Sequence, residues 1–269
     1  MRILIYVPII HEAADLGSIS DVAHKKGRDI FGKIRWETHK ETVKSFWDQI
    51  SRYFKNIDAD GLEIFQDGLP VGGEIARRII HEGAERGSRN YRIILDLINR
   101  GGIIKKTEDV ILLKKELMRA EQFSLKDSHG EEKIAPFQDL ISGDQLMADR
   151  DRFTAQSINK TLHQRGVLFM GAFHSVPRYL ENDINVLELK KIEKVLDYLK
   201  IVYTDGPREL LESNGRLHRR TRKVPPGSCL PDVCSCDDDA LLRVGRGAMY
   251  TDKRVRSDCA PTSLPRKAG

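Results

Sequence analysis

Four short apolar runs in this chain each end in a side chain that can hold a cation or move a proton. His11, with Glu12 beside it, follows Ile3–Val7, and Asp67, in Gln66-Asp67-Gly68, follows Gly61–Gln66. Glu108, in Thr107-Glu108-Asp109, follows Gly102–Lys106, and His174, in Gly171-Ala172-Phe173-His174, follows Val167–Gly171. Two imidazoles and two carboxylates are ligand types for a divalent ion such as Mn or Zn. His11, Glu108 and His174 are the expected metal ligands, with Asp67 as a fourth ligand or general base. The same set could equally serve general acid–base chemistry without a metal. Each residue alone has a plainer reading. A histidine after a strand is often a hydrogen-bonded structural residue, Glu108 suits a helix N-terminus, and Asp67-Gly68 is an ordinary turn pair. Their joint placement points to a site.

Arg150 and Arg152 lie in Asp149-Arg150-Asp151-Arg152-Phe153, ahead of the fourth run. Residues two apart do not share a helix face, so at most one of these arginines should reach a given site. A planar guanidinium there could bind a substrate carboxylate or phosphate. The competing reading is a solvated charge run paired with Asp149 and Asp151. Gly72-Gly73-Glu74 could offer amides to an anion, but a loop-to-helix turn explains it as well. There is no P-loop, no GxGxxG and no GxSxG elbow. His11-Glu12-x-x-Asp15 is not the HExxH of zincins, and Cys229, Cys234, Cys236 and Cys259 lack paired CxxC spacing.

The elements that must position these residues alternate. Continuous apolar runs with β-branched content read as buried strands: the four above and a fifth at Ile184–Leu189. Between them, Trp36, Val43, Phe46, Trp47, Ile50 and Phe54 recur at helical spacing. Ile75, Ile79 and Ile80 mark a second helix that stops near Gly87. Ser88 is a plausible N-cap for a third, which carries Tyr91, Ile94, Leu95 and Ile98 and closes at Gly101. Residues 109–123 and 144–164 read as two more helices around the polar stretch SLKDSHGEEK, read as a loop, and a short one covers 191–200. Strands separated by helices imply crossovers, hence an α/β fold with a mostly parallel sheet and helices on both faces. In such folds ligands meet the carboxyl ends of the strands.

Composition divides the 269 residues. Residues 218–269 hold 11 Lys and Arg against 6 Asp, all four cysteines and half of the ten prolines, with no Ile, Phe or Glu. The first 217 residues hold 34 basic and 34 acidic side chains and are neutral. We therefore expect an α/β domain over 1–212 and a basic tail over 213–269, either disordered or from a shifted or fused reading frame. No apolar run has the length to span a bilayer, and the opening residues lack the pattern of a signal peptide. A body without cysteine argues against a disulfide-built secreted fold. The expectation is a cytoplasmic protein whose body has no basic stripe for nucleic acid.

The motifs resemble the TraB and Tiki-like superfamily, with its haem-binding ChaN and erythromycin-esterase relatives. Gly171-Ala172-Phe173-His174 matches the second of that family's two GxxH motifs, and Arg150-Asp151-Arg152-Phe153-Thr154-Ala155 is similar to its Arg-Asn-x-x-Met-Ala stretch. Thr107-Glu108 resembles the region that supplies the family's glutamate. In Pro8-Ile9-Ile10-His11 the first histidine is kept and proline replaces the glycine. The resemblance spans residues 1–200 and implies Mn-dependent proteolysis or ester cleavage in some members, ligand or signal binding in others.

Three readings follow. One is a metal-dependent hydrolase of peptide or ester bonds, with Glu108, Asp67 and Arg150 as catalytic residues and Arg150 orienting an anionic group. Another is a non-catalytic protein that binds haem, a peptide or a signalling molecule in the same cleft. The third is a structural domain whose histidines and acids satisfy one another.

Overall fold

The computed structural model describes residues 1–15, 25, 28–29, 32–126 and 145–204. The chain divides into two units, Met1–Cys234 and Ser235–Gly269, and every described residue belongs to the first. The expected tail over 213–269, and the part of the polar stretch beyond Lys126, lie outside the described residues. Among the described residues no helix is long and apolar enough to cross a membrane.

Five strands form one parallel sheet: β1 (Arg2–Ile9), β2 (Glu63–Gln66), β3 (Ile103–Ile104), β4 (Arg165–Gly171) and β5 (Ile184–Glu188), in the order β3-β2-β4-β1-β5. All five expected strands are present. The weakest, expected over Gly102–Lys106, shrinks to two paired residues at the edge. The helices are α1 (Lys33–Lys55), α2 (Gly73–Glu85), α3 (Arg89–Asn99), α4 (Val110–Lys126), α5 (Gln145–Thr161) and α6 (Ile192–Thr204). The α4 helix runs three residues into the stretch expected as a loop, through Ser124, Leu125 and Lys126.

The sheet is covered on both faces. Leu4, Tyr6, Leu168 and Met170 pack on one face with Ala155, Ile158 and Leu162 around α5. Alternation along β4 sends Phe169 to the other face, where its ring meets Phe54 of α1 at 5.3 Å. On α1 the stripe Val43, Phe46, Trp47, Ile50 and Phe54 is buried; each large side chain so buried contributes about 1.5–3 kcal/mol. The helix marked by Ile75, Ile79 and Ile80 is α2, ending just before Gly87; its buried face is Ala76, Ile80, Gly83 and Ala84, while Ile75 is exposed. Ser88 caps α3, its hydroxyl accepting from the Tyr91 amide at 3.1 Å.

Pro8 lies in β1, a central strand, and the ladder explains how it is tolerated. The Ile3 amide donates toward β4 and the Arg2 amide toward β5, so even-numbered residues of β1 face β5. Pairing with β5 ends at Tyr6 opposite Glu188, one step before Pro8. The missing N–H therefore falls where the ladder has already stopped.

Candidate active site

The strand order places Glu108, Asp67, His174 and His11 at the ends of four consecutive strands, β3, β2, β4 and β1. The neighbours β2 and β4 lead on in opposite directions, β2 toward β3 and β4 toward β5. Such a parting of connections opens a crevice at the carboxyl edge of a parallel sheet.

The backbone presents each side chain by a local device. After β4, the His174 amide donates to the Gly171 carbonyl at 3.0 Å, so Gly171–His174 is a closed turn and the spacing of three is the spacing of that bond. After β2, Gly68 takes a positive φ of 74°, a conformation glycine adopts freely, and this turns the chain just beyond Asp67. After β3, the Thr107 and Glu108 amides both donate to the Leu69 carbonyl, at 3.0 and 3.1 Å. The Thr107 hydroxyl in turn accepts from the Gln66 amide at 2.9 Å. These bonds fold the end of β3 onto the end of β2 and bring Glu108 over Gly68.

Gly171 is the meeting point. A side chain there would lie 3.1 Å from Asp67 Oδ2, 3.3 Å from His174 Cδ2 and 3.5 Å from His11 Nε2. With no Cβ in the way, these three groups share one small volume. His11 Nε2 stands 3.6 Å from Asp67 Oδ2, and the Gly171 amide donates to that same oxygen at 3.0 Å.

Two further arrangements flank this point. Arg150 is buried and gathers three carboxylates. Its Nε donates to Glu108 Oε2 at 2.8 Å and its Nη2 to Asp67 Oδ1 at 2.9 Å. Nη2 also donates to Glu108 Oε1, and Nη1 reaches Glu116 of α4. On the other side, Asp151 holds His174: Oδ1 lies 2.6 Å from Nδ1, and Oδ2 accepts from the Ser175 amide at 2.7 Å. His174 is only 6% exposed, and Asp151 engages its ring through Nδ1. His11 is 43% exposed and forms the open side.

Electrostatics separates the acids. Burial pushes Glu108 up to about 7, with the Asp67 charge adding to it and Arg150 opposing it. Burial also works against ionised Asp67, but His11, His174 and Arg150 outweigh it and hold this carboxyl well below its usual range. Burial lowers His174, yet Asp151 and the charge of Asp67 raise it above the ordinary histidine value. His11 is raised too, desolvation being overcome by Asp67 and Asp15.

The candidate residues are thus brought to one edge, in altered partnerships. Glu108, expected as a metal ligand beside His11 and His174, has its oxygens engaged by Arg150 and by the Gly68 amide at 3.2 Å. Among the described residues no three His, Cys, Asp or Glu side chains are grouped to hold a metal ion. Arg150, expected to bind an anionic group, spends its donors on three carboxylates. Of the two arginines only Arg150 faces the site; Arg152 pairs outside with Asp149 at 2.9 Å and lies over the Tyr179 ring.

Sequence reasoning missed Asp151, grouped with the surface charges of its run, and Glu116, inside a helix with no motif. Asp151 had a signal, since it neighbours Arg150 on a helix that packs against the fourth strand's exit. Glu12 is held by Arg89, and Asp15 by the Ser88 hydroxyl, so both fasten the exit of β1 to the start of α3. Compared with family models, with curated proteins and with solved structures, the chain matches none.

Proposed function

We propose that the strand-end site hydrolyses an ester or peptide bond in a small-molecule or peptide ligand, with His174 drawing the proton from the attacking water. The observation that carries this is the His174–Asp151 pair inside the site. A carboxylate on Nδ1 fixes the tautomer, leaves Nε2 as the acceptor and stabilises the imidazolium formed when it takes a proton. Water is the nucleophile in this reading, because the recorded partner of the His174 ring is a carboxylate and no Ser, Thr or Cys side chain is hydrogen-bonded to it among the described residues. Asp67, ionised and beside His11, would orient that imidazole at the open side. Buried Glu108 is a proton store near neutrality.

The Gly171–His174 turn also supports a proposed TraB/Tiki-like relationship, since the glycine of the motif has a physical task here. A second reading is a divalent ion, Mn or Zn, favoured by the surplus of carboxylates facing two imidazoles. Among the described residues, though, no three such side chains are grouped to hold it; Glu108 is committed to Arg150, and no step is routed through a metal.

The test is hydrolysis of a chromogenic ester and a peptide anilide by the purified chain, with and without chelator. The expected result is turnover that falls about 10²–10⁴-fold in His174→Asn and Asp151→Asn. Turnover unchanged in both variants would overturn the role of His174. Saturable binding of a peptide, or a haem Soret band, without turnover would favour the binding reading. A melting temperature that rises with Mn or Zn, and no longer does so in His174→Asn, would favour the metal.

A further inference from the structure

We infer that the strand-end site selects a substrate carrying a positive charge, an ammonium or guanidinium group, near the bond that is cut, and that Glu116 sets this preference. The inference rests on the hydrolase reading and names its substrate class. Two independent observations meet. One is His174, more than nine-tenths buried and held by Asp151 through Nδ1, whose Cδ2 edge lies with Asp67 and His11 around Gly171. That ring edge is where a ligand's reacting group would sit.

The other is the charge around it. Arg150 is matched by Asp67, Glu108 and Glu116, and Asp151 stands behind His174. With both histidines neutral and every acid ionised, this group carries −3. With both histidines protonated and Glu108 neutral it reaches zero. While Asp67, Glu116 and Asp151 stay ionised, it is never positive. Asp15 adds negative charge on the His11 side. Lys114, Lys115 and Arg119 share α4 with Glu116, and three cations of the other adjoining segments are engaged elsewhere. Arg89 holds Glu12, Lys105 pairs with Glu63 at 2.9 Å, and Lys106 lies 5.2 Å from the Phe153 ring centre. An anion entering here would meet carboxylates and a guanidinium already saturated by them, whereas a cation would be attracted. Glu116 is 42% exposed while Arg150 is 5% exposed, so Glu116 is the most solvent-accessible acid of the cluster.

The experiment compares three para-nitrophenyl esters of similar length, one with a terminal trimethylammonium, one with a methyl and one with a carboxylate. We expect kcat/KM to fall in that order, with the spread compressed by high salt. Glu116→Gln should reduce the cation-to-anion ratio roughly three- to tenfold, the effect of one nearby charge partly screened by water. The ratio is taken within each variant, so a uniform loss of turnover cancels out of it. In parallel, calorimetry measures hexylammonium and hexanoate binding to the full chain. Tighter binding of hexylammonium with no ester turned over sustains the charge preference and removes the hydrolase reading. Equal or better handling of the anionic ester or of hexanoate overturns the inference. So does a ratio that Glu116→Gln leaves unchanged, or binding of neither ion together with no turnover.

Discussion

At the residue scale the consequential pairing is between a histidine and the carboxylate one position beyond the arginine expected to matter. Asp151 keeps the His174 imidazolium favourable, so hydrolysis should rise with pH through a midpoint above the ordinary histidine value, as the ring loses its proton and becomes a base. Asp151→Asn should move that midpoint down, which a pH–rate profile reads directly. Gly171→Ala is a second probe at this scale. Its methyl would press Asp67 at 3.1 Å and His174 at 3.3 Å, close enough that each must yield by tenths of an ångström, while His11 at 3.5 Å stays in ordinary contact. We expect a stability loss within about 1 kcal/mol and a fall in turnover of roughly tenfold, since small misplacements of reacting groups are expensive; the melting temperature and kcat separate the two. Glu108 makes a prediction about stability. Its folded value near 7 lies above the ordinary 4.5, so between those values the native state holds more protons than the unfolded chain. Its contribution to stability is therefore present at low pH and lost as pH rises through about 7. Glu108→Gln should flatten the decline in unfolding free energy between pH 5 and pH 8, measured by urea titration.

At the scale of elements, much was legible because local pattern and local structure coincide. The run Ile3–Val7 is a strand because five successive apolar residues suit only a chain buried on both faces. The stripe from Val43 to Phe54 is a helix because its spacing leaves one side wet. Ser88 announced the start of α3 through its hydroxyl. Ile75, Ile79 and Ile80 located α2, but its contact face also uses small residues, which let α3 come close. Gly83 shows the closeness: a Cβ there would fall 1.7 Å from Cδ2 of Tyr91. Gly83→Ala would gain at most about 1 kcal/mol of helix propensity but would overpack the contact at a cost of roughly 1–3 kcal/mol. Net destabilisation is expected, visible as a lower midpoint in urea. The strand-end histidines and acids were legible from position alone. Their partners were not, because Arg150–Glu108 and His174–Asp151 join segments 42 and 23 residues apart, and no spacing rule reaches that far.

At the scale of the whole molecule, Arg150 ties α5 to α4 and to the ends of β2 and β3. Arg150→Ala would leave Asp67 and Glu108 buried without their cation, at a cost of roughly 3–5 kcal/mol. Lacking that cation, the carboxyls would titrate higher when folded, so the damage should deepen as pH rises; thermal melts at pH 5 and pH 8 distinguish this from simple loss of packing. The order of the sheet has a temporal consequence. The partner of Ile3 is Arg165, and that of Ile9 is Gly171. During synthesis the first strand must wait for its neighbour until most of the described chain has left the ribosome, while β2 and β3 can already pair. The centre of the sheet thus assembles late, with only the edge strand β5 still to follow, and closing it spans a long loop that slows the search. Until then an apolar strand edge stays open to other chains, so a nascent or refolding population should aggregate more readily than the finished protein, and dilution during refolding should raise the yield.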